Sequence, residues 1–211
     1  MAIDATLRAM LEARSVAVVG ASQRPGTPGN QMVRQLLVGR FAGEVAAVNP
    51  RYDEVEGVAC YPSLKEVPFA PDLVLLGVSN RLLEEQMVAA AGRGARGVVV
   101  FASGLEDPPG EIPLTERLRR IAREAGMVVC GGNCMGFADI ERGLRALAFE
   151  ERADLEPGGW PGSLTPARPS RRCCTRRGGY ASTWRFRRAR SSRPRWPTTC
   201  SARWSASLPG R

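Results

Sequence analysis

From position 15 onward, short uninterrupted apolar runs alternate with longer stretches whose apolar residues recur every three or four positions. The first kind reads as strands covered on both faces, the second as helices with one covered face. Strands are expected at 16–19, 44–48, 72–78, 97–101 and 127–130. A lead-in helix over 4–13 places Leu7, Met10 and Leu11 on one face. A second helix, capped at Gly29 or Asn30 and stopped at Gly39, groups Met32, Val33, Leu36 and Leu37. A third runs from a cap at Ser79 or Asn80 to Ala91 with Leu82, Leu83, Met87 and Ala90 inward. A fourth carries Leu114, Leu118, Ile121, Ala122 and Ala125 and ends at Gly126. Between the second and third strands lie a short segment near 55–61 and Ser63-Leu64-Lys65-Glu66, which has capping-box spacing and reads as a short helix. This alternation predicts an α/β fold, a Rossmann-like doubly wound parallel sheet over residues 1–150. In such sheets ligands sit beyond the carboxyl ends of the strands, so the loops at 20–29, 49–51, 78–80, 102–105 and 131–136 are expected to converge.

Charge divides the chain in two. Residues 1–156 hold 17 basic and 21 acidic side chains, a net of −4, whereas the last 55 hold 13 arginines, no lysine and no acid. The overall +9 is therefore a property of the tail rather than of the α/β part. That tail also contains all four tryptophans and Cys173, Cys174 and Cys200, and it shows neither a 3.6 nor a 2.0 apolar period. No packed element is expected there. No apolar run is long enough to span a membrane, no secretory leader is evident, and the six cysteines are too scattered for a disulfide framework, so the expected location is cytoplasmic.

The chemistry centres on the first loop. An apolar strand feeding Gly20, Ala21, Ser22, Gly26 and Gly29 and then a helix start at Asn30 makes a seat for phosphate or pyrophosphate, because the first helical N–H groups lack internal partners. The spacing is not the dinucleotide G-x-G-x-x-G, and glycines that merely permit a tight turn remain the plain alternative. An NAD site places an acid at the end of the second strand. Here that strand ends in Asn49, Pro50 and Arg51, and a cation suits an additional phosphate, as in NADP or coenzyme A. Arg51 as an ordinary solvated charge is the alternative, and Asp53 and Glu54 keep NAD in consideration. Cys130 and Cys134 supply half a metal site at most, and no metal is expected. Cys134 reads more simply as a small half-buried residue than as a nucleophile, since no base lies near it in sequence.

Six segments in order, VVGAS, AAVNPR, VEGVACYPSLKEVP, DLVLLGVS, GVVVFASGLED and GGNCMGF, resemble the CoA-binding domain of the NDP-forming acyl-CoA synthetases, the superfamily of the succinyl-CoA synthetase alpha subunit. The resemblance covers about residues 5–150. It implies coenzyme A or acyl-CoA as ligand, with Gly20, Ala21, Ser22, Gly26, Gly29 and Asn30 at its phosphates and Asn49-Pro50-Arg51 as the family's N-P-basic turn. Val78-Ser79 matches a V-P turn along the pantetheine path, with serine in place of proline. Ser103 matches an S-x-G-type loop. Asn133 and Cys134 belong to a G-P-N-C-x-G match in which Gly132 replaces proline.

The same resemblance implies a second, flavodoxin-like domain bearing a phosphohistidine, and a nucleotide-grasp domain or subunit as partner. The chain contains no histidine. Near Glu156, where such a second domain should begin, the composition changes abruptly. Residues 151–211 are therefore expected to be a disordered or non-native basic tail, an out-of-frame remnant of that domain in a GC-rich gene. A nucleic-acid-binding arm, with its arginines on phosphates and Trp184, Phe186, Trp196 and Trp204 on bases, is the less favoured reading. As it stands the chain is expected to bind coenzyme A without ligating. The alternatives are an NADP-dependent oxidoreductase, which the single lysine, Lys65, argues against, and a non-enzymatic CoA-sensing module.

Overall fold

A computed structural model of the chain describes residues 5–104, 112–151 and 171–173. The elements are α1 (Ala5–Leu11), β1 (Ser15–Val19), α2 (Pro28–Val38), β2 (Glu44–Val48), β3 (Glu54–Val55), β4 (Val58–Tyr61), β5 (Leu73–Leu76), α3 (Asn80–Gly92), β6 (Gly97–Val100), α4 (Leu114–Glu124), β7 (Val128–Gly131), β8 (Gly136–Asp139), β9 (Leu144–Leu147) and β10 (Arg171–Cys173). The first seven strands form one sheet in the order β3-β4-β2-β1-β5-β6-β7. Every neighbouring pair is parallel except the β3–β4 hairpin at one edge. This is the Rossmann-like α/β sheet that the apolar runs predict.

β1 lies at the centre, and all five of its residues are buried. Because successive strand residues point to opposite faces, Val16 and Val18 join Met10 of α1 and Met32, Val33 and Leu36 of α2. Ala17 and Val19 join Leu83, Met87 and Ala90 of α3 and Leu114, Leu118 and Ala122 of α4. Each fully buried Leu, Met or Val in these two layers contributes about 1.5–3 kcal/mol. Helices thus cover both faces, and the loops at the strand ends are left to form a ligand site.

Several local expectations need correction. α2 starts at Pro28 with Thr27 as its cap, because proline fits the first helical position and the Thr27 side chain accepts from the Asn30 N–H. Leu37 and Leu82 stay 44% and 45% exposed, since each falls just beyond the buried stripe of its helix. Ala125 is likewise exposed, as the C-cap of α4. Ser63 and Glu66 do pair, Oγ to Oε1 at 2.9 Å, but as a turn rather than a helix, bracketed by Pro62 and Pro68. The antiparallel pair β8–β9 is an addition to the five expected strands. Its buried Asp139 and Arg145 interrupt the apolar pattern, which hides it from periodicity.

The expectations for residues 151–211 fall outside the described residues, apart from Glu151 and the backbone of β10, which pairs antiparallel with β8. Leu105 of the fourth loop also lies outside them. Among the described residues no helix is long and apolar enough to cross a membrane.

Candidate functional site

Glycine at positions 20 and 29 is a packing requirement. Gly20 leaves β1 with φ +82° and donates its N–H to Val48 O at 3.0 Å. A Cβ on Gly20 would stand 2.6 Å from Gly77 O, and one on Gly29 would stand 2.1 Å from Gly20 O. The first turn of α2 therefore rests directly on the end of β1, which aims the positive end of an eleven-residue helix at the loop. Gly26 has φ +76° and nothing within 4 Å of an added Cβ, so its role is the turn itself. Within the loop, Ser22 Oγ accepts from the Arg24 N–H at 3.1 Å.

Side chains from two other elements fix the loop's shape. Asn49, just past β2, donates Nδ2 to Ala21 O at 2.7 Å while its Oδ1 accepts from the Arg51 N–H at 3.0 Å. One side chain thereby shapes its own turn and holds the neighbouring glycine loop. Gln23 Nε2 donates to Glu54 O at 2.7 Å. Asn30 is fully buried and donates Nδ2 to both Ser22 O (3.1 Å) and Glu56 Oε1 (2.6 Å). Glu56 and Gly57 form the β3–β4 turn with φ +52° and +80°, the geometry of a type I′ hairpin. Pro50 and Arg51 are exposed, and the Arg51 side chain makes no hydrogen bond or ion pair among the described residues.

The remaining loops continue the row. Gly77 N–H donates to Val19 O at 2.9 Å, and Val78 and Ser79 lead into α3. Ser79 is exposed and its hydroxyl makes no capping bond. Asn80 joins the third loop to the fourth, with Nδ2 on Ser103 Oγ at 3.2 Å and Oδ1 accepting from the Gly104 N–H at 3.0 Å. Asn133, at φ +58°, donates its N–H to Ala102 O at 2.7 Å and so joins the fourth loop to the fifth. The five loops are thus linked edge to edge, as the topology predicts. Arg51 and Cys134 are not brought together: they stand at opposite ends of the row, four strand spacings or roughly 19 Å apart.

Cys134 is half-buried, and its Sγ lies 3.3 Å from Val100 O and 3.6 Å from Cys130 O. These carbonyls favour the protonated thiol, as burial does. The Cys130 thiol favours the thiolate by hydrogen bonding to it, and the backbone around Gly136 and Cys134 adds to this. The donors prevail and hold the Cys134 pKa down to about 7. Burial pushes the Cys60 thiol up instead.

Sequence reading passed over Gln23, Glu56 and Asn80 as site-forming residues. Asn80 was visible only as a helix cap, and nothing local couples Glu56 to Asn30. The acid-glycine pair Glu56-Gly57 was the one signal for the hairpin turn. A cavity of about 400 Å³ lies at the opposite, amino-terminal edge of the sheet, lined by residues including Arg8, Glu12, Arg14, Asp72, Arg96 and Arg142. Its charges are partly paired already, Arg96 with Asp72 and Arg142 with Glu12.

Residues 14–139 match the family described as CoA binding domain. The chain is 33% identical over 139 residues to the ADP-forming acetate–CoA ligase II of Archaeoglobus fulgidus, covering 65% of this chain and 21% of that one. It is 33% identical to the alpha subunit of the ADP-forming acetate–CoA ligase II of Pyrococcus furiosus, covering 63% and 29%. The structure of a dinucleotide-forming acetyl-coenzyme A synthetase 1 from Ca. Korarchaeum cryptofilum, solved with phosphate and ADP, superposes with a TM-score of 0.65 at 32% identity, over 72% of this chain and 32% of that one. The chain spans between a fifth and a third of the length of these relatives. With the glycine loop, the Asn49 turn and the row of linked loops inside the matched region, the chain belongs to the CoA binding domain family.

Proposed function

We propose that the row of loops binds coenzyme A lengthwise. The phosphates lie against Gly20, Ala21, Ser22, Gly26 and Gly29 at the α2 N-terminus, with Asn30 shaping that loop from beneath. Asn49 and Pro50 present Arg51 to the ribose phosphate. The pantetheine arm follows Val78, Ser79 and Ser103 toward Asn133 and Cys134. The observation that carries this reading is the Arg51 side chain: exposed, without a hydrogen bond or ion pair among the described residues, and set beside the glycine loop where a dinucleotide site would place an acid. A cation there favours a phosphate over a free ribose diol.

The chain then supplies the CoA-binding step of an NDP-forming acyl-CoA ligase and works with a partner that carries the nucleotide-grasp part. Support comes from the Pyrococcus furiosus relative, which is itself named as an alpha subunit. With no histidine among 211 residues, a phosphohistidine would have to reside elsewhere. Residues 1–150 form the binding domain in this reading, and 151–211 are an out-of-frame remnant of a flavodoxin-like domain. Translating the gene in its other two frames tests that point, and the absence of such a domain from both refutes it.

Calorimetric titration with coenzyme A, dephospho-CoA, NADP and NAD at fixed salt tests the ligand. Coenzyme A is expected to bind in the micromolar range, a free energy of about −8 kcal/mol. Arg51→Ala should bind coenzyme A and dephospho-CoA alike. Binding of NADP without coenzyme A would replace this reading with an oxidoreductase one.

A further inference from the structure

The backbone between Cys130 and Cys134 reverses through three consecutive left-handed residues, Gly131 at φ +149°, Gly132 at +44° and Asn133 at +58°. The turn folds Cys134 back over the end of β7, so that its Sγ lies 3.6 Å from the carbonyl of Cys130 and in hydrogen-bond contact with the Cys130 thiol. Only glycine fits at position 131, where a Cβ would stand 2.5 Å from Val100 O. Both residues are half-buried, and neither is in a disulfide. The CoA-binding reading leaves Cys130 without a role.

We infer that Cys130 and Cys134 form a reactive dithiol that exchanges with low-molecular-weight disulfides and closes into a reversible disulfide across the Gly131-Gly132-Asn133 loop. The Cys134 thiolate attacks one sulfur of the small disulfide, whose S–S bond breaks and releases one small thiolate. Cys130 then attacks Cys134 Sγ, its proton passing to the second departing thiolate. Two protein thiols are oxidised to one disulfide, and one small disulfide is reduced to two thiols. Cys134 is the attacking member because its thiolate is populated at neutral pH. Because Asn133 is anchored on Ala102 O, the closed ring fixes the fifth loop against the fourth.

Both cysteines fall in one tryptic peptide, residues 124–142, so the state of the pair can be read apart from Cys60 and from the three cysteines of the tail. The test treats the full chain with glutathione disulfide at pH 7, quenches with acid, alkylates, digests and weighs that peptide. This readout does not depend on coenzyme A binding. The expected result is loss of both alkylation sites and of two hydrogens, with both sites restored by reductant. Cys130→Ser should leave a glutathione adduct on Cys134, and Cys134→Ser should leave Cys130 largely unmodified. Alkylation of both residues to the untreated extent overturns the proposal, as does a Cys130→Ser protein without an adduct.

Discussion

Replacing Asn49 by alanine removes two hydrogen bonds from opposite sides of one side chain. Ala21 is fully buried, so its carbonyl loses its Asn49 donor where water is excluded, at a cost of about 1–3 kcal/mol. The Arg51 N–H sits at an exposed turn and regains water, adding roughly 0.5 kcal/mol. A total near 2–3 kcal/mol lowers the melting temperature by roughly 4–12 °C for a chain of this size. Asn49→Asp separates the two bonds, because a carboxylate still accepts from Arg51 but faces the Ala21 carbonyl with no proton to offer. That repulsion raises the folded-state pKa of the new carboxyl above its unfolded value near 3.9. The stability deficit of Asn49→Asp is therefore full at pH 7 and shrinks as pH falls through the raised pKa, when a protonated carboxyl can donate to Ala21 O. Thermal unfolding of wild type, Asn49→Ala and Asn49→Asp at pH 7 and near pH 4 measures both effects. An aspartate variant within about 0.5 kcal/mol of wild type at pH 7 would refute the claim that Asn49 pins the glycine loop.

Gly29→Ala should cost about 3 kcal/mol or more, because the new methyl overlaps Gly20 O and α2 must lift away, whereas Gly26→Ala should cost only about 1 kcal/mol for its left-handed backbone. Equal midpoints for the two variants in urea denaturation would count against this. Iodoacetamide should alkylate Cys134 with a rate that rises through about pH 7, while the rate for Cys60, whose pKa burial raises, should rise only at higher pH. A common pH midpoint for both would sink the electrostatic account of the thiol pair. Asn80→Ala should destabilise by about 1–2 kcal/mol and speed hydrogen exchange at the Gly104 amide; unchanged exchange there would show that the two loops are held together by something else.

The sheet was legible because β1, β5 and β6 are buried on both faces and so appear as unbroken apolar runs. The convergence of loops followed from topology alone. Helix faces were read with single-residue errors at Leu37 and Leu82, since a stripe of buried positions about 100° wide leaves its flanking residues undecided. The β8–β9 pair was invisible because the buried polar residues Asp139 and Arg145 break the apolar runs that mark the other strands. Gly20 and Gly29 stood out by type, but what each one touches did not. The coupling of Asn49 to Ala21, of Asn30 to Glu56 and of Asn80 to Ser103 bridges 23 to 28 positions, and no local pattern carries that information.

The strand order also sets a sequence of assembly. The chain starts in the middle of its sheet: Val16 pairs with Val45 on one side and with Leu73 on the other. During synthesis β2, β4 and β3 can complete one wing before β5 has emerged, and β5, β6 and β7 are then laid down outward, each on the free edge of the strand before it. The two edges end differently. The β3–β4 hairpin closes the first with a strand of only two residues, too short to template another chain. The second edge is β7, the last strand of this sheet to be made; it carries Cys130, and the turn that follows it carries Cys134. Closure of that turn is thus the final local event in building the sheet, and a folding intermediate would present an open β6 edge and the unseated thiol pair together.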